Sequence, residues 1–160
     1  MFNRIKNDKG ITMDKTLKLA PLDASNLAAS VALFIDTFTQ APWYDTFEST
    51  KQVETFFENH LANNYFVGYV LYAGETVIGL SLGFKKPWIN GMEYYIDQFC
   101  VGISYQGQGI GSQFMQLIEA DISGKSLGAI ILNTEAGYPA EQFYLKNGFE
   151  VLKGLMILAK

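Results

Sequence analysis

The chain has 160 residues, enough for one domain with a sizeable buried core. Hydrophobic residues make up 49% and aromatics 14%, which excludes an intrinsically disordered chain. The net charge of −4 offers no basic face for sequence-independent nucleic-acid binding.

One cysteine, Cys100, and one histidine, His60, exclude a disulfide framework and leave no Cys/His zinc site, so no metal is expected. Both counts suit a reducing compartment, and a cytoplasmic location is expected. No apolar run approaches the roughly 18 residues of a spanning helix, so no membrane partner is expected. The first residues, MFNRIKNDKGITMDK, carry charge without an apolar core and do not read as a signal peptide. Residues 1–14 read as a flexible extension of a single domain spanning 1–160, with Met13 as an alternative start.

In chain order, TLKLA (16–20) reads as a first strand. Asp23 is placed to cap a helix carrying Leu27, Val31, Phe34, Ile35 and Phe38 at helical spacing. APWY (41–44) breaks it, and Ser49 or Thr50 precedes a second helix with Val53, Phe56, Phe57 and Leu61. YFVGYVLYAGETVIGLSLGF reads as a hairpin turning at Ala73-Gly74-Glu75. KPWING reads as a loop and MEYYIDQFCV as a long strand. After a glycine-rich loop comes a helix to about Ser123, then the strand LGAIILNTE and the short helix PAEQFYLKN with Pro139 near its start. Gly148 is placed to terminate that helix, and GFEVLKGLMILA reads as a closing strand. The order β-α-α-β-β-β-α-β-α-β describes a mixed α/β sheet.

The loop QGQGIG, Gln106 to Gly111, places three glycines one residue apart between a strand and a helix. Bare backbone at a helix start presents N–H groups to an anion. The spacing fits neither common phosphate loop. No lysine follows Gly111, where a Walker loop needs GK, and a GxGxxG reading puts Ser112 or Phe114 in the place of the third glycine.

What remains is Gln106-x-x-Gly109-x-Gly111. It resembles the Gln/Arg-x-x-Gly-x-Gly/Ala signature of the GNAT family of N-acetyltransferases. The preceding strand end FCV is similar to the family's coenzyme-lining strand. Downstream, Ala140-x-x-Phe143-Tyr144-x-x-x-Gly148-Phe149 resembles the family's second motif at the right distance, and the resemblance spans about residues 16–158. It implies the GNAT fold: a mixed, mostly antiparallel sheet of about six or seven strands, splayed between strands 4 and 5 and flanked by about four helices. It also implies transfer of an acetyl group from acetyl-CoA, as co-substrate, to a primary amine.

On this reading the anion is the coenzyme A pyrophosphate, held by backbone of Gln106, Gly107, Gln108, Gly109, Ile110, Gly111 and Ser112. The arm of the coenzyme would pair with the edge of Phe99, Cys100 and Val101 as an added strand. Tyr144 matches the family's general-acid tyrosine. The general base is Asp97 first and Glu93 second. Asp97 sits inside an apolar strand, where an acid is costly unless used or paired. Glu93 lies four residues earlier, on the same side if the strand is regular, and Gln98 then faces away as a structural residue. Many members carry asparagine where this chain has Gly137, so Asn133 is a substitute contact to the coenzyme. Cys100 reads as a small buried hydrophobe and His60 as a helix-surface residue.

Residues 36–60 carry Asp36, Asp45, Glu48, Glu54 and Glu58 against Lys51, together with Trp43, Tyr44 and Phe47. An acidic, aromatic rim suits a cationic acceptor with a flat body, with Trp43, Tyr44, Asp45 and Asp97 as contacts. APWYDTF resembles a segment of family members that acetylate aminoglycosides. A small, aminoglycoside- or polyamine-like amine is the expected partner. A coenzyme-binding module without turnover and a peptide N-acetyltransferase are the alternatives. Homodimers are common in the family, and the sequence neither supports nor denies one here.

Overall fold

A computed structural model of the chain describes residues 16–160. The expected extension over 1–14 and the alternative start at Met13 lie outside the described residues. The elements run β1 (Leu17–Pro21), α1 (Leu27–Phe38), α2 (Thr50–Leu61), β2 (Phe66–Ala73), β3 (Thr76–Trp88), β4 (Gly91–Val101), α3 (Ile110–Gly124), β5 (Leu127–Leu132) and α4 (Pro139–Lys146). A single 3-10 turn, Ile103–Tyr105, links β4 to the glycine loop.

The sheet has the order β1-β2-β3-β4-β5, with antiparallel pairs up to β4 and a parallel β4–β5 pair. The two helical layers cover opposite faces. One face carries Val31, Phe34 and Phe38 of α1 and Val53 and Phe57 of α2, against Val70, Leu80, Leu82 and Cys100. The other carries Phe114, Met115, Ile118 and Ile122 of α3, against Tyr69, Leu71, Tyr94, Ile96 and Val101. Central strands covered on both sides read as continuous apolar runs, which is why Tyr69, Val70 and Leu71 are all buried in sequence.

β4 and β5 pair only over Met92–Ile96 and Leu127–Leu132. From Asp97 to Val101, β4 has no partner on that side, so the two strands fork. The fork is the splay expected between strands 4 and 5, and it positions the site.

The structure corrects several expectations. Asp23 does not cap α1. Its carboxylate instead accepts from Ser25 N at 2.8 Å and Ser25 Oγ at 2.6 Å, and the helix starts at Leu27 behind Asn26. Ser49 does cap α2, accepting from Gln52 N at 3.1 Å. KPWING is mostly strand, because β3 runs to Trp88 and β4 resumes at Gly91, leaving a two-residue turn. The sheet has five strands among the described residues rather than six or seven, because GFEVLKGLMILA forms none. Gly154, at φ 90°, bends that run, and Val151, Leu152, Leu155, Met156, Ile157 and Leu158 stay exposed. Gly148, at φ 86°, ends α4 as expected: its N–H bonds Leu145 O at 3.2 Å, and Phe149 N bonds Tyr144 O at 3.1 Å.

Candidate active site

The glycine loop leaves its amides free. Gly107 and Gly109 take φ of 70° and 76°, and a Cβ on either would meet nothing within 4 Å. Positive φ, not crowding, is what selects glycine at these two positions. Gly109 is the N-cap of α3, and the first helical bond closes from Gln113 N to Gly109 O at 3.2 Å. The N–H groups of Gly107, Gln108, Gly109, Ile110, Gly111 and Ser112 therefore have no partner among the described residues. They form a row of donors at the positive end of a fifteen-residue helix.

The two glutamines brace this row rather than join it. Gln106 Nε2 donates to Val101 O at 2.8 Å and Gln108 Nε2 to Ser104 O at 2.9 Å. The Gln106 amide itself donates to Ile103 O at 3.2 Å, so the donor row begins at Gly107. Gly111 has a separate reason for being glycine: a Cβ there would stand 3.0 Å from Phe143 Cε2, so its absence lets α4 pack close.

The row opens into a cleft of about 370 Å³. One wall is the free end of β4, with Phe99, Cys100 and Val101. The facing wall is α4, with Ala140, Phe143, Tyr144 and Lys146, and the far end reaches Thr37 and Trp43. Phe99 stacks on Phe143 at 5.6 Å and on Phe114 at 5.1 Å, so the two walls meet through a row of aromatic rings. A second hollow of about 400 Å³ lies behind α3 beside Leu127, Gly128 and Phe149, but it meets none of the free amides.

Tyr144 lines the cleft, packed against Phe143 at 5.1 Å and Phe149 at 5.3 Å. Burial raises its phenol above the ordinary value near 10, so the group stays protonated. Burial likewise pushes the Cys100 thiol up to about 12, which withholds the thiolate a covalent route needs.

Asp97 occupies a β-bulge. Leu82 pairs with Gln98 and Gly83 with Ile96, so Asp97 is the extra residue of β4. The bulge exchanges the faces of the strand. Tyr94 and Ile96 before it, and Phe99 and Val101 after it, all face α3, whereas Cys100 faces α1 and α2. Gln98, whose partner Leu82 faces α1 and α2, therefore shares that side instead of pointing away. Asp97 itself reaches α2, where its Oδ2 lies 2.9 Å from His60 Nε2. His60 is thus a partner of Asp97 rather than a surface residue.

The remaining residues divide clearly. Glu93 sits four residues before Asp97, roughly 13 Å along the strand, in the closed part of the fork opposite Lys86. Its Oε2 is buried with no hydrogen-bond partner among the described residues. Asn133 donates to Tyr95 OH at 2.6 Å, tying the end of β5 to β4, and does not line the cleft. Trp43 reaches the cleft, packed edge-on against Phe38 at 5.2 Å, while Tyr44 and Asp45 lie outside it on an exposed turn. The acidic rim is smaller than the sequence suggests. Glu54 and Glu58 pair with Lys51 at 3.4 and 3.3 Å, and Asp36 accepts from Gln40.

Two cleft residues escape a reading of the sequence. Lys146 adds a cation near the free amides, signalled only by its place in the last turn of α4. Thr37 is fully buried on α1 and carries no local sign of its position. Among the described residues no cluster of three or more His, Cys, Asp or Glu could hold a metal ion, and no helix is long and apolar enough to cross a membrane.

A forked sheet with a free amide row at the fork defines an α/β protein with an anion-binding site at a strand edge. The chain belongs to the acetyltransferase (GNAT) family, whose model matches residues 32–149. Among solved structures it is similar to the aminoglycoside N-acetyltransferase AAC(6')-Iy in complex with CoA, at 13% identity and a TM-score of 0.72 over 94% of this chain and 98% of that one. It is also similar to the aminoglycoside acetyltransferase meta-AAC0020 from an uncultured soil metagenomic sample in complex with sisomicin, at 15% identity and 0.67 over 90% and 97%. A ribosomal-protein-alanine N-acetyltransferase from Brucella melitensis biovar Abortus 2308 matches at 13% identity and 0.71 over 91% and 99%. No curated protein matches the sequence.

The cleft fits coenzyme A. A diphosphate needs several convergent donors and a nearby cation, and the free amides with Lys146 supply both. An amide-bearing arm needs a strand edge, and Phe99–Val101 offers one.

Proposed function

We propose that this acetyltransferase acts on a primary amine of a small, cationic molecule, aminoglycoside- or polyamine-like, by direct attack with both substrates bound. The row of unpartnered amides from Gly107 to Ser112, opening onto the unpaired edge of β4, carries the reading. Acetyl-CoA supplies the activated thioester. The loop amides and Lys146 hold its diphosphate, and the edge of Phe99–Val101 aligns its arm, so the position of the reacting carbon is fixed by backbone.

Asp97, at the fork, receives the amine and takes up the proton it releases, directly or through water. Asp97 stands beyond the cleft lining, two residues up β4 from Phe99, whereas Tyr144 lines the cleft as a protonated phenol. Burial makes it a weaker acid than free tyrosine, so its contribution is a hydrogen bond donated to the sulfur as negative charge builds there. Trp43 gives the body of the acceptor an aromatic wall. The likeness to two aminoglycoside acetyltransferases supports the choice of acceptor class.

The test is thiol release from acetyl-CoA across a panel of aminoglycosides, polyamines, amino acids and peptides. Turnover confined to small polycationic amines is expected. Coenzyme binding with no turnover on any amine contradicts the reading and favours a binding module. Turnover confined to peptides contradicts the small-acceptor choice.

A further inference from the structure

His60 is the chain's only histidine, and the proposed reaction gives it no task. It lies in the last turn of α2, with its ring edge-on to Phe56 at 4.6 Å. Both ring nitrogens are engaged. Nδ1 is 3.0 Å from Phe56 O, and Nε2 is 2.9 Å from Asp97 Oδ2. A carbonyl oxygen and a carboxylate oxygen only accept. A neutral imidazole has one N–H and one lone pair, so either tautomer sets a lone pair against an acceptor. The doubly protonated ring satisfies both contacts. Moving one proton to the carboxyl keeps the count but places it on what is ordinarily the stronger acid.

The surroundings agree. The hydrogen bond to Asp97 raises the His60 pKa above its ordinary value, against the opposing effect of burial, and the Phe56 carbonyl adds to the rise. A cation in the last turn also meets the negative end of the helix. The other charged groups on the packed elements are engaged elsewhere or, for Glu93, lie at a distance. Lys51, Glu54 and Glu58 of α2 pair with one another, and Asp36 of α1 bonds Gln40. Lys85 and Lys86 of β3 lie over the rings of Tyr65, Trp88 and Tyr95. Glu93 of β4 lies down the strand, opposite Lys86.

We propose that His60 is a positioning residue: as an imidazolium it fixes the Asp97 carboxylate at the fork, occupies Oδ2, and leaves Oδ1 to receive the acceptor amine. Asp97 needs such a restraint, because a bulged residue lacks its ladder partner and its side chain is about a third exposed. The restraint joins α2 to β4 across 37 residues of sequence, so the docking of α2 on the sheet also sets the angle of the acid. The proposal rests on the acetyltransferase reading in one respect only, that Asp97 meets an amine.

Because the histidine is unique, its ring can be followed by NMR in the tag-free protein without ambiguity. Both ring nitrogens are expected to be protonated at neutral pH, with a titration midpoint above the ordinary value of about 6.5. In Asp97→Asn the midpoint is expected to fall. A wild-type midpoint at or below the ordinary value, or one that Asp97→Asn leaves unchanged, overturns the pairing. Kinetics then separate positioning from mere packing. His60→Ala should raise KM for the amine on the order of tenfold. His60→Gln, whose amide places a donor near Nε2, should restore most of that loss. Unchanged KM in His60→Ala overturns the positioning role even if Asp97→Asn is inactive. If no amine is turned over by the wild type, the acetyltransferase reading falls while the titration still decides the ion pair.

Discussion

Replacing Gly83 by alanine should both destabilise the protein and displace Asp97. Gly83 pairs with Ile96 at the bulge, and a Cβ built on it stands 2.0 Å from Tyr95 O and 2.8 Å from Tyr94 Cε2. The first contact is to backbone, which cannot swing aside as a side-chain tip can. Relieving it requires β3 and β4 to separate locally by roughly 1 Å, in a closely packed sheet where overpacking costs about 1–3 kcal/mol. Tyr94 is fully buried, so the second contact leaves little room on that side. We expect a loss of about 3 kcal/mol, near the upper end of that range. At roughly 3 °C per kcal/mol for a chain of this size, Tm should fall by about 9 °C. Thermal melts followed by circular dichroism read the change. Gly128→Ala serves as control, because its Cβ would meet nothing closer than Met92 O at 3.9 Å. A Gly83→Ala protein that melts within about 1 °C of wild type would refute the reasoning.

Other outcomes follow from the same geometry. Tyr144→Phe should lower kcat about 10²-fold while coenzyme affinity, measured by calorimetry, stays unchanged, since the role proposed for the hydroxyl is at the leaving sulfur rather than the diphosphate. Gly109→Ala should cost about 1–2 kcal/mol in chemical denaturation from the positive φ alone and should weaken coenzyme binding, because the space around its Cβ is empty. The His60–Asp97 pair makes stability pH-dependent with a definite sign. The folded-state pKa of His60 is raised, so its contribution is complete below the unfolded value of about 6.5 and is lost as pH rises through the folded value. The Tm gap between wild type and His60→Ala should therefore be widest in mild acid and shrink toward alkaline pH; a gap independent of pH contradicts the pairing.

Features set by local chemistry were legible in the sequence. Ser49 caps α2, Gly74 turns the β2–β3 hairpin at φ 63°, and Gly148 ends α4, because each acts on its own neighbours. The donor row was legible for the same reason, since positive φ at Gly107 and Gly109 is a property of the loop itself. The bulge was not. Nothing in YYIDQFCV announces it, because the residue that permits it, Gly83, lies on the neighbouring strand; regular alternation then put Gln98 on the wrong face. The His60–Asp97 contact was hidden for the same reason, being formed only when α2 docks on the sheet. GFEVLKGLMILA has strand-like composition, yet composition does not supply a pairing partner, and Gly154 bends the run.

The central claim is that free loop amides hold the diphosphate of coenzyme A. Titrating coenzyme A, and separately pantetheine, into 15N-labelled protein tests it most directly. The account predicts that coenzyme A shifts the amide signals of Gly107, Gly109, Ile110, Gly111 and Ser112 most strongly, and that pantetheine, which lacks the diphosphate, leaves them nearly in place. Saturation with coenzyme A while those five signals stay fixed would contradict it.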